Sequence, residues 1–136
     1  MSETTLVDSS VILDVLTDDI AWASWSSDAL ARAARRGVLV IDPIVYAEVS
    51  VRFESVEDTD IAVPDKIFRR EPLPFSAGFI AGKAFFSYQR SGGTRTSPLP
   101  DFYIGAHALV SDYTLLTRDA ARYRTYFPGL AVVAPD

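Results

Sequence analysis

Four short apolar runs, separated by segments with helical periodicity, restrict the fold of this chain more than any other feature. The runs are rich in β-branched residues and cover about residues 4–7, 38–41, 113–116 and 130–133. Between them, apolar residues recur at intervals of three and four, as on one face of a helix. Strands joined by helices predict a parallel sheet that is covered on both faces. The expected fold class is therefore α/β.

Turn and capping residues indicate where several helices begin and end. Residues 8–10 form a turn between the first strand and a helix. A second helix is predicted over about 20–36 and ends at Gly37. Asp42 and Pro43 open a third helix, because aspartate is a good cap and proline is favoured at the first helical position.

The middle of the chain, from about 56 to 91, has a helical pattern that breaks near residues 71–74. Glycine, serine and threonine predict a loop over 91–98. Another helix begins at residues 100–101, and a short one is predicted over 119–126. No repeat or second domain is evident, so residues 1–136 are expected to form one domain of ordinary size.

The lack of cysteine excludes disulfides, thiolate metal sites and a cysteine nucleophile, and it is typical of proteins in a reducing compartment. The N-terminal residues lack a basic segment followed by an apolar one, and no apolar run approaches the roughly 20 residues of a membrane span. We expect a cytoplasmic protein that does not enter a membrane.

The net charge of −5 is unusual for a protein that binds nucleic acid. The charges are unevenly distributed, however. Residues 1–65 carry four basic and thirteen acidic side chains, whereas residues 66–124 carry nine basic and four acidic ones. Either these charges are simply solvated surface, or the basic second half attracts phosphate beside a metal-loaded acidic site.

Four acidic residues stand where an α/β sheet gathers its ligands, at the carboxyl ends of strands. Asp8 follows the first strand, and Asp119 follows the strand over 113–116. Asp101 falls in the first turn of a helix, where the helix dipole favours a carboxylate. Glu48 lies on the helix after the second strand and has a longer side chain. We predict that these four carboxylates converge.

Converging carboxylates repel one another unless a cation lies between them. Oxygen ligands without histidine or thiolate favour hard cations, so Mg²⁺ or Mn²⁺ is expected. Such an ion polarises a phosphoryl oxygen and lowers the pKa of a bound water. Taken singly, Asp119 is equally explained as a helix cap, Asp8 as a turn residue and Glu48 as a surface residue.

Other acidic residues are assigned structural roles. Asp42 is interpreted as a helix cap, Asp14 and Asp28 as residues on solvated helix faces, and Asp112 as part of a turn. Two tryptophans three residues apart, Trp22 and Trp25, are interpreted as core anchors, with a partner-binding groove as the alternative.

Four segments, in this order and spacing, closely resemble the PIN-domain ribonucleases of the VapC toxin type. They are LVDSSVILDVL, IDPIVYAEVS, LPDFYIGAHAL and LLTRDAARYRTYFPGLAVVAP. The resemblance spans nearly the whole chain. It implies a three-layer α/β/α PIN fold with a central parallel sheet of four to five short strands, and RNA cleavage that depends on magnesium or manganese. It also implies a cognate VapB-type antitoxin and a homodimer.

The same resemblance assigns roles to individual positions. It matches the family's four acids to Asp8, Glu48, Asp101 and Asp119, and its small polar helper to Ser10. Thr117 matches a polar position near the metal. Where the family often has a serine or threonine cap, this chain has Asp42.

Three arginines of the basic half are candidates for contacts with flanking RNA phosphates, because they lie in sequence near Asp101 or Asp119. They are Arg95, Arg118 and Arg122.

Other mechanisms fit the sequence less well. His107 is the only histidine, which excludes a two-histidine ribonuclease, and it is interpreted as a packed or half-exposed helix residue. Residues 78–83 imitate a phosphate loop but have the wrong spacing. Two alternatives stay open: a non-catalytic binding module of the same fold, and a phosphatase that uses Asp8 as phosphoryl acceptor and needs a lysine beyond a later strand.

Overall fold

The computed structural model describes residues 3–135, and these contain a parallel sheet of five strands in the order β3-β2-β1-β4-β5. All four neighbouring pairs are parallel. From β1 the chain adds β2 and β3 on one side and then β4 and β5 on the other, so the order of strand addition switches between β1 and β4. Open α/β sheets place their binding sites at such a switch point. The strands are β1 (Thr5–Val7), β2 (Leu39–Ile41), β3 (Phe68–Arg70), β4 (Thr114–Leu116) and β5 (Val132–Val133).

Seven helices in the described part of the chain connect the strands and flank the sheet. They are α1 (Ser9–Leu16), α2 (Ala23–Arg36), α3 (Pro43–Ser50), α4 (Val56–Ala62), α5 (Phe75–Arg90), α6 (Pro100–Val110) and α7 (Ala121–Tyr126). The predicted three-layer α/β/α architecture with four to five short strands is confirmed.

Strand β3 corrects the sequence interpretation, which treated residues 56–91 as helical with one break. Phe68 of this strand is buried, whereas Arg69 and Arg70 are exposed. Because β3 is an edge strand, charged side chains are tolerated there and discourage pairing with other chains. Three residues with one apolar side chain give no periodicity from which a strand can be predicted.

The core joins the sheet to helices on both of its faces, and α6 contributes more buried residues to it than any other helix described. Strands β1 and β2 are buried along their whole length, as fits a parallel sheet covered on both faces. Helix α6 is buried on several sides, and Gly105 is required there because an added Cβ would lie 2.6 Å from the ring of Phe127.

The helix ends agree with most of the capping predictions. The Asp42 side chain accepts a 3.0 Å hydrogen bond from the Val45 N–H, so its capping role is confirmed. Gly37 follows the last residue of α2, as predicted, and passes directly over the backbone of Glu3. The last helix begins at Ala121 rather than at Asp119, and the Asp119 side chain does not cap it.

The interpretation of Asp14 as a solvated helix residue was wrong. The residue is 2% exposed, and its carboxylate accepts a 2.7 Å hydrogen bond from the Ser26 hydroxyl. Arg118 binds both of its carboxylate oxygens. By contrast, Asp28 is exposed and Asp112 lies in a turn with φ 57°, as predicted.

Between residues 3 and 135, no helix is both long and apolar enough to cross a membrane.

Candidate functional site

The candidate site lies at the carboxyl edge of the sheet, where the neighbouring strands β1 and β4 end. Asp8 follows β1 directly, and its N–H donates a 2.9 Å hydrogen bond to the Leu116 carbonyl of β4. Thr117 follows β4, and its hydroxyl donates to Asp8 Oδ2 at 2.7 Å. The Ser10 hydroxyl, in the first turn of α1, donates to the same oxygen at 3.1 Å. Parallel pairing of β1 and β4 therefore brings together residues more than 100 positions apart in sequence.

Asp8 is a buried carboxylate whose side-chain hydrogen-bond partners among residues 3–135 are hydroxyl groups. The residue is 5% exposed. Burial raises the pKa of Asp8, the hydrogen bonds from Thr117 and Ser10 partly offset that effect, and the negative charge of Asp101 raises the pKa further. No ion-pair partner of Asp8 is found within the described residues.

Glu48 projects from α3 towards the same edge and is half-buried. The Ser9 hydroxyl donates a 2.8 Å hydrogen bond to Glu48 Oε1. Burial raises the pKa of Glu48, and the charges of Asp8 and Asp101 raise it again. The electrostatics thus place Glu48 close to both aspartates.

Asp101 lies in the first turn of α6 and has a basic partner. Arg122 Nη1 is 3.0 Å from Asp101 Oδ2, and the Tyr123 hydroxyl donates to Asp101 Oδ1 at 3.3 Å. Burial raises the pKa of Tyr123 well above its ordinary value, and the charges of Asp8, Asp101 and Glu48 add to that effect. The charges of three of the four predicted acids therefore act on the buried Tyr123 hydroxyl.

Asp119 is near this group but is directed differently. Its N–H donates to Thr117 Oγ1 at 3.1 Å, which places its backbone beside the residue that holds Asp8. Its side chain, however, is 77% exposed and lies 3.9 Å from Arg118 Nη1. The structure places Asp8, Glu48 and Asp101 at one edge, where their charges act on one another, and leaves the Asp119 carboxylate in solvent.

Among residues 3–135, no three side chains of the ligating types are arranged closely enough to hold an ion as they stand. Each acid instead has a local partner: hydroxyls for Asp8 and Glu48, and Arg122 for Asp101. In this arrangement the like charges raise the pKa of both Asp8 and Glu48. The chemistry of the donor set, all oxygen and partly buried, nevertheless fits a hard divalent cation.

The three arginines proposed to contact RNA have different surroundings. Arg95 is exposed in the loop between α5 and α6. Arg122 is paired with Asp101, and its guanidinium also lies 6.0 Å from the ring centroid of Phe102. Arg118 is bound by Asp14 through two 3.0 Å contacts and lies over the ring of Trp22.

Sequence reasoning missed two side chains at this site. Ser9 was treated only as a turn residue, although it supplies the hydroxyl that holds Glu48. Tyr123 gave no signal, because a tyrosine in an aromatic-rich helix is ordinarily a core residue, and its contact with Asp101 joins α7 to α6.

Comparison with protein families matches residues 5–128 to the PIN domain. The chain belongs to the PIN-domain family. Comparison with curated proteins gives no match. The predicted family is thus confirmed, and its members are typically nucleases.

Several solved structures have the same fold as this PIN domain. A chain of VapBC2 from Rickettsia felis, bound to a promoter DNA fragment, is 16% identical with a TM-score of 0.74, covering 98% of this chain and 99% of that one. A chain of VapBC-1 from nontypeable Haemophilus influenzae is 16% identical with a TM-score of 0.74, and the match covers 96% of this chain and 97% of that one. The PIN-domain endonuclease Utp24 is 14% identical with a TM-score of 0.56, and the match covers 98% of this chain and 85% of that one. At these identities the likeness is one of fold.

Proposed function

We propose that this PIN-domain protein is a metal-dependent endoribonuclease whose site consists of Asp8, Glu48, Asp101 and Asp119. The observation that supports it most is the pair of carboxylates at Asp8, which is buried, and Glu48, which is half-buried: their side-chain partners in the described residues are hydroxyls, and the charge of Asp101 acts on both. Burying a carboxylate without an ion-pair partner lowers the free energy of unfolding. Groups of this kind cluster at functional sites.

The residues that would hold a divalent ion are Asp8, Glu48 and Asp101. Asp119 joins them by rotating its exposed side chain, which its anchored backbone beside Thr117 permits. Mg²⁺ or Mn²⁺ fits this oxygen donor set. When bound, the ion supplies Lewis-acid polarisation of a phosphoryl oxygen and a more acidic water.

The protein's own side chains orient the site. The hydroxyls of Thr117 and Ser10 fix Asp8 Oδ2, and Ser9 fixes Glu48, so both carboxylates present defined oxygens. Arg122, beside Asp101, is placed to meet a phosphate of the RNA. Attack by water leaves a 5′-phosphate and a 3′-hydroxyl.

The protein is further proposed to be the toxin of a toxin–antitoxin pair, with a VapB-type antitoxin and a homodimeric state. The sequence resemblance to VapC toxins and the fold similarity to chains of VapBC complexes support this part. The phosphatase alternative receives no support, because Lys66 precedes β3 and Lys83 lies on α5.

The test is cleavage of RNA by the purified protein with Mn²⁺, with chelator, and with Mn²⁺ restored, followed by analysis of the product ends. We expect cleavage only with metal and 5′-phosphate ends. Cleavage that survives exhaustive chelation, or products with 2′,3′-cyclic ends, would refute the mechanism. Binding of RNA without cleavage would instead favour the non-catalytic module.

A further inference from the structure

The only histidine of the chain is buried in α6 and hydrogen-bonded to a buried carboxylate. His107 and the side chain of Asp42 are both 0% exposed, and His107 Nδ1 lies 2.9 Å from Asp42 Oδ2. Since a carboxylate oxygen accepts, Nδ1 carries the hydrogen. Burying two polar side chains together is costly unless they satisfy each other. The pair therefore forms a fixed contact within the core.

Asp42 has a second task with its other oxygen. Oδ1 accepts the Val45 N–H at 3.0 Å and so caps the N-terminus of α3, the helix that carries Glu48. One carboxylate thus fixes the beginning of α3 and binds the last turn of α6, the helix that carries Asp101 in its first turn. These two helices pack against each other.

The other side of the imidazole faces the end of β3. His107 Nε2 lies 3.5 Å from Glu71 Oε1 and has no hydrogen-bond partner in the described part of the chain. Glu71 itself is held by the Tyr113 hydroxyl at 2.7 Å and by Arg69 at 2.7 Å. The ring is therefore confined between α3 and the end of β3.

The spacing connects this contact to the candidate site. Glu48 lies six residues after Asp42, and Asp101 lies six residues before His107. Six residues correspond to about 9 Å of helix axis. We propose that His107, bound to Asp42, is a positioning residue that sets the separation of Glu48 and Asp101 and thereby the affinity for a divalent metal. This inference rests on the proposed function.

The expected effect is large enough to measure. Groups that orient metal ligands through an intermediate contact typically change metal affinity by about 10–100-fold when they are replaced. Here the contact acts through two helices, so we expect the lower end, about tenfold.

Two neutral replacements of Asp42 isolate the contact. Asparagine keeps the capping oxygen, and its amide N–H donates to His107 Nδ1 once the imidazole hydrogen moves to Nε2, which faces Glu71 Oε1. Serine caps α3 but is too short to reach the ring. Both remove the same charge. Mn²⁺ affinity, measured by the electron paramagnetic resonance of free Mn²⁺, should be about tenfold weaker in Asp42→Ser than in Asp42→Asn. Ser55→Ala, which removes the cap of α4, should destabilise the protein and leave the affinity unchanged.

A distance measurement gives a second readout that does not depend on metal. Because the chain has no cysteine, spin labels can be attached through Ala47→Cys on α3 and Val110→Cys on α6, both at exposed positions. The distance distribution should broaden in Asp42→Ser relative to Asp42→Asn. If Asp42→Ser does not fold, the same comparison is made by changing the histidine instead. His107→Asn keeps a hydrogen-bond donor near Asp42 and His107→Leu does not, so distances should be broader in His107→Leu.

The outcomes separate the two proposals. If the parent binds no Mn²⁺, or if Asp101→Asn binds it equally well, the proposed metal site is wrong and the positioning role fails with it. If Asp101→Asn abolishes binding but Asp42→Ser and Asp42→Asn bind equally, only the positioning role is overturned. Broadened distances with equal affinities overturn it as well.

Discussion

Replacing Arg118 by alanine should destabilise the fold strongly, because Arg118 anchors the loop that follows β4. Its Nε and Nη2 atoms each lie 3.0 Å from a carboxylate oxygen of Asp14, and its guanidinium lies 5.6 Å from the ring centroid of Trp22. The Asp14 side chain is 3% exposed. Without Arg118, this buried carboxylate keeps only the hydroxyl of Ser26.

The magnitude follows from the burial of the two partners. Breaking a buried ion pair costs about 3–5 kcal/mol. The Arg118 side chain is 28% exposed, so water can reach part of the vacated space and reduce the cost to about 2–3 kcal/mol. The lost contact with Trp22 adds about 0.5–1 kcal/mol. A total of about 3 kcal/mol corresponds to a melting temperature lowered by about 10 °C in a domain of this size.

Thermal and urea melts of the metal-free protein measure this effect, with Arg124→Ala as the matched control. Arg124 is exposed on α7, and its replacement should change stability by less than about 0.5 kcal/mol. A double-mutant cycle with Asp14→Asn should give a coupling of about 1–3 kcal/mol. If Arg118→Ala is as stable as Arg124→Ala and flattens the salt dependence of RNA binding, Arg118 is an RNA contact and anchors nothing.

Three further predictions concern RNA binding, charge burial and packing. Arg95→Ala should weaken RNA binding and lower its salt slope by about one without changing the melting temperature; an unchanged slope would make Arg95 ordinary surface charge. Burial raises the pKa of Asp8 above 3.8, so its stabilising contribution is fully present below that pH and is lost as the pH rises through the folded-state pKa. In metal-free melts, Asp8→Asn should reduce the decline in stability as the pH rises above 3.8, and an identical decline would contradict the raised pKa. Gly105→Ala should cost about 1–3 kcal/mol by collision with Phe127, whereas Gly82→Ala, in open space on α5, should gain about 0.5–1 kcal/mol; equal melting temperatures would refute this packing.

Most of the strands, and the edge of the sheet that carries the candidate site, can be predicted from the sequence because they depend on local patterns. Apolar runs identified β1, β2, β4 and β5, and the parallel order then predicted that Asp8, Glu48, Asp101 and Asp119 approach one another, whereas the Asp119 side chain is exposed. Strand β3 was missed because Arg69 and Arg70 give it no apolar period.

The hydrogen-bond and ion-pair partners of the buried polar side chains cannot be predicted from the sequence, because the two residues of each pair lie far apart in the chain. Asp14 and Arg118 are separated by 104 positions, and Asp42 and His107 by 65. Periodicity says which face of a helix is apolar but not which distant residue compensates a buried charge. The outward direction of Asp119 could not be predicted for a different reason: its contacts with Arg118 and Thr117 are local, but the pattern of residues does not specify the side-chain direction.

The most direct test of the proposed metal site is anomalous diffraction from crystals soaked in Mn²⁺. We expect an anomalous peak bounded by the carboxylates of Asp8, Glu48 and Asp101, with Asp101 released from Arg122 and the peak lost in Asp8→Asn crystals. A peak elsewhere, or an empty edge in crystals of protein that cleaves RNA with Mn²⁺, would contradict it.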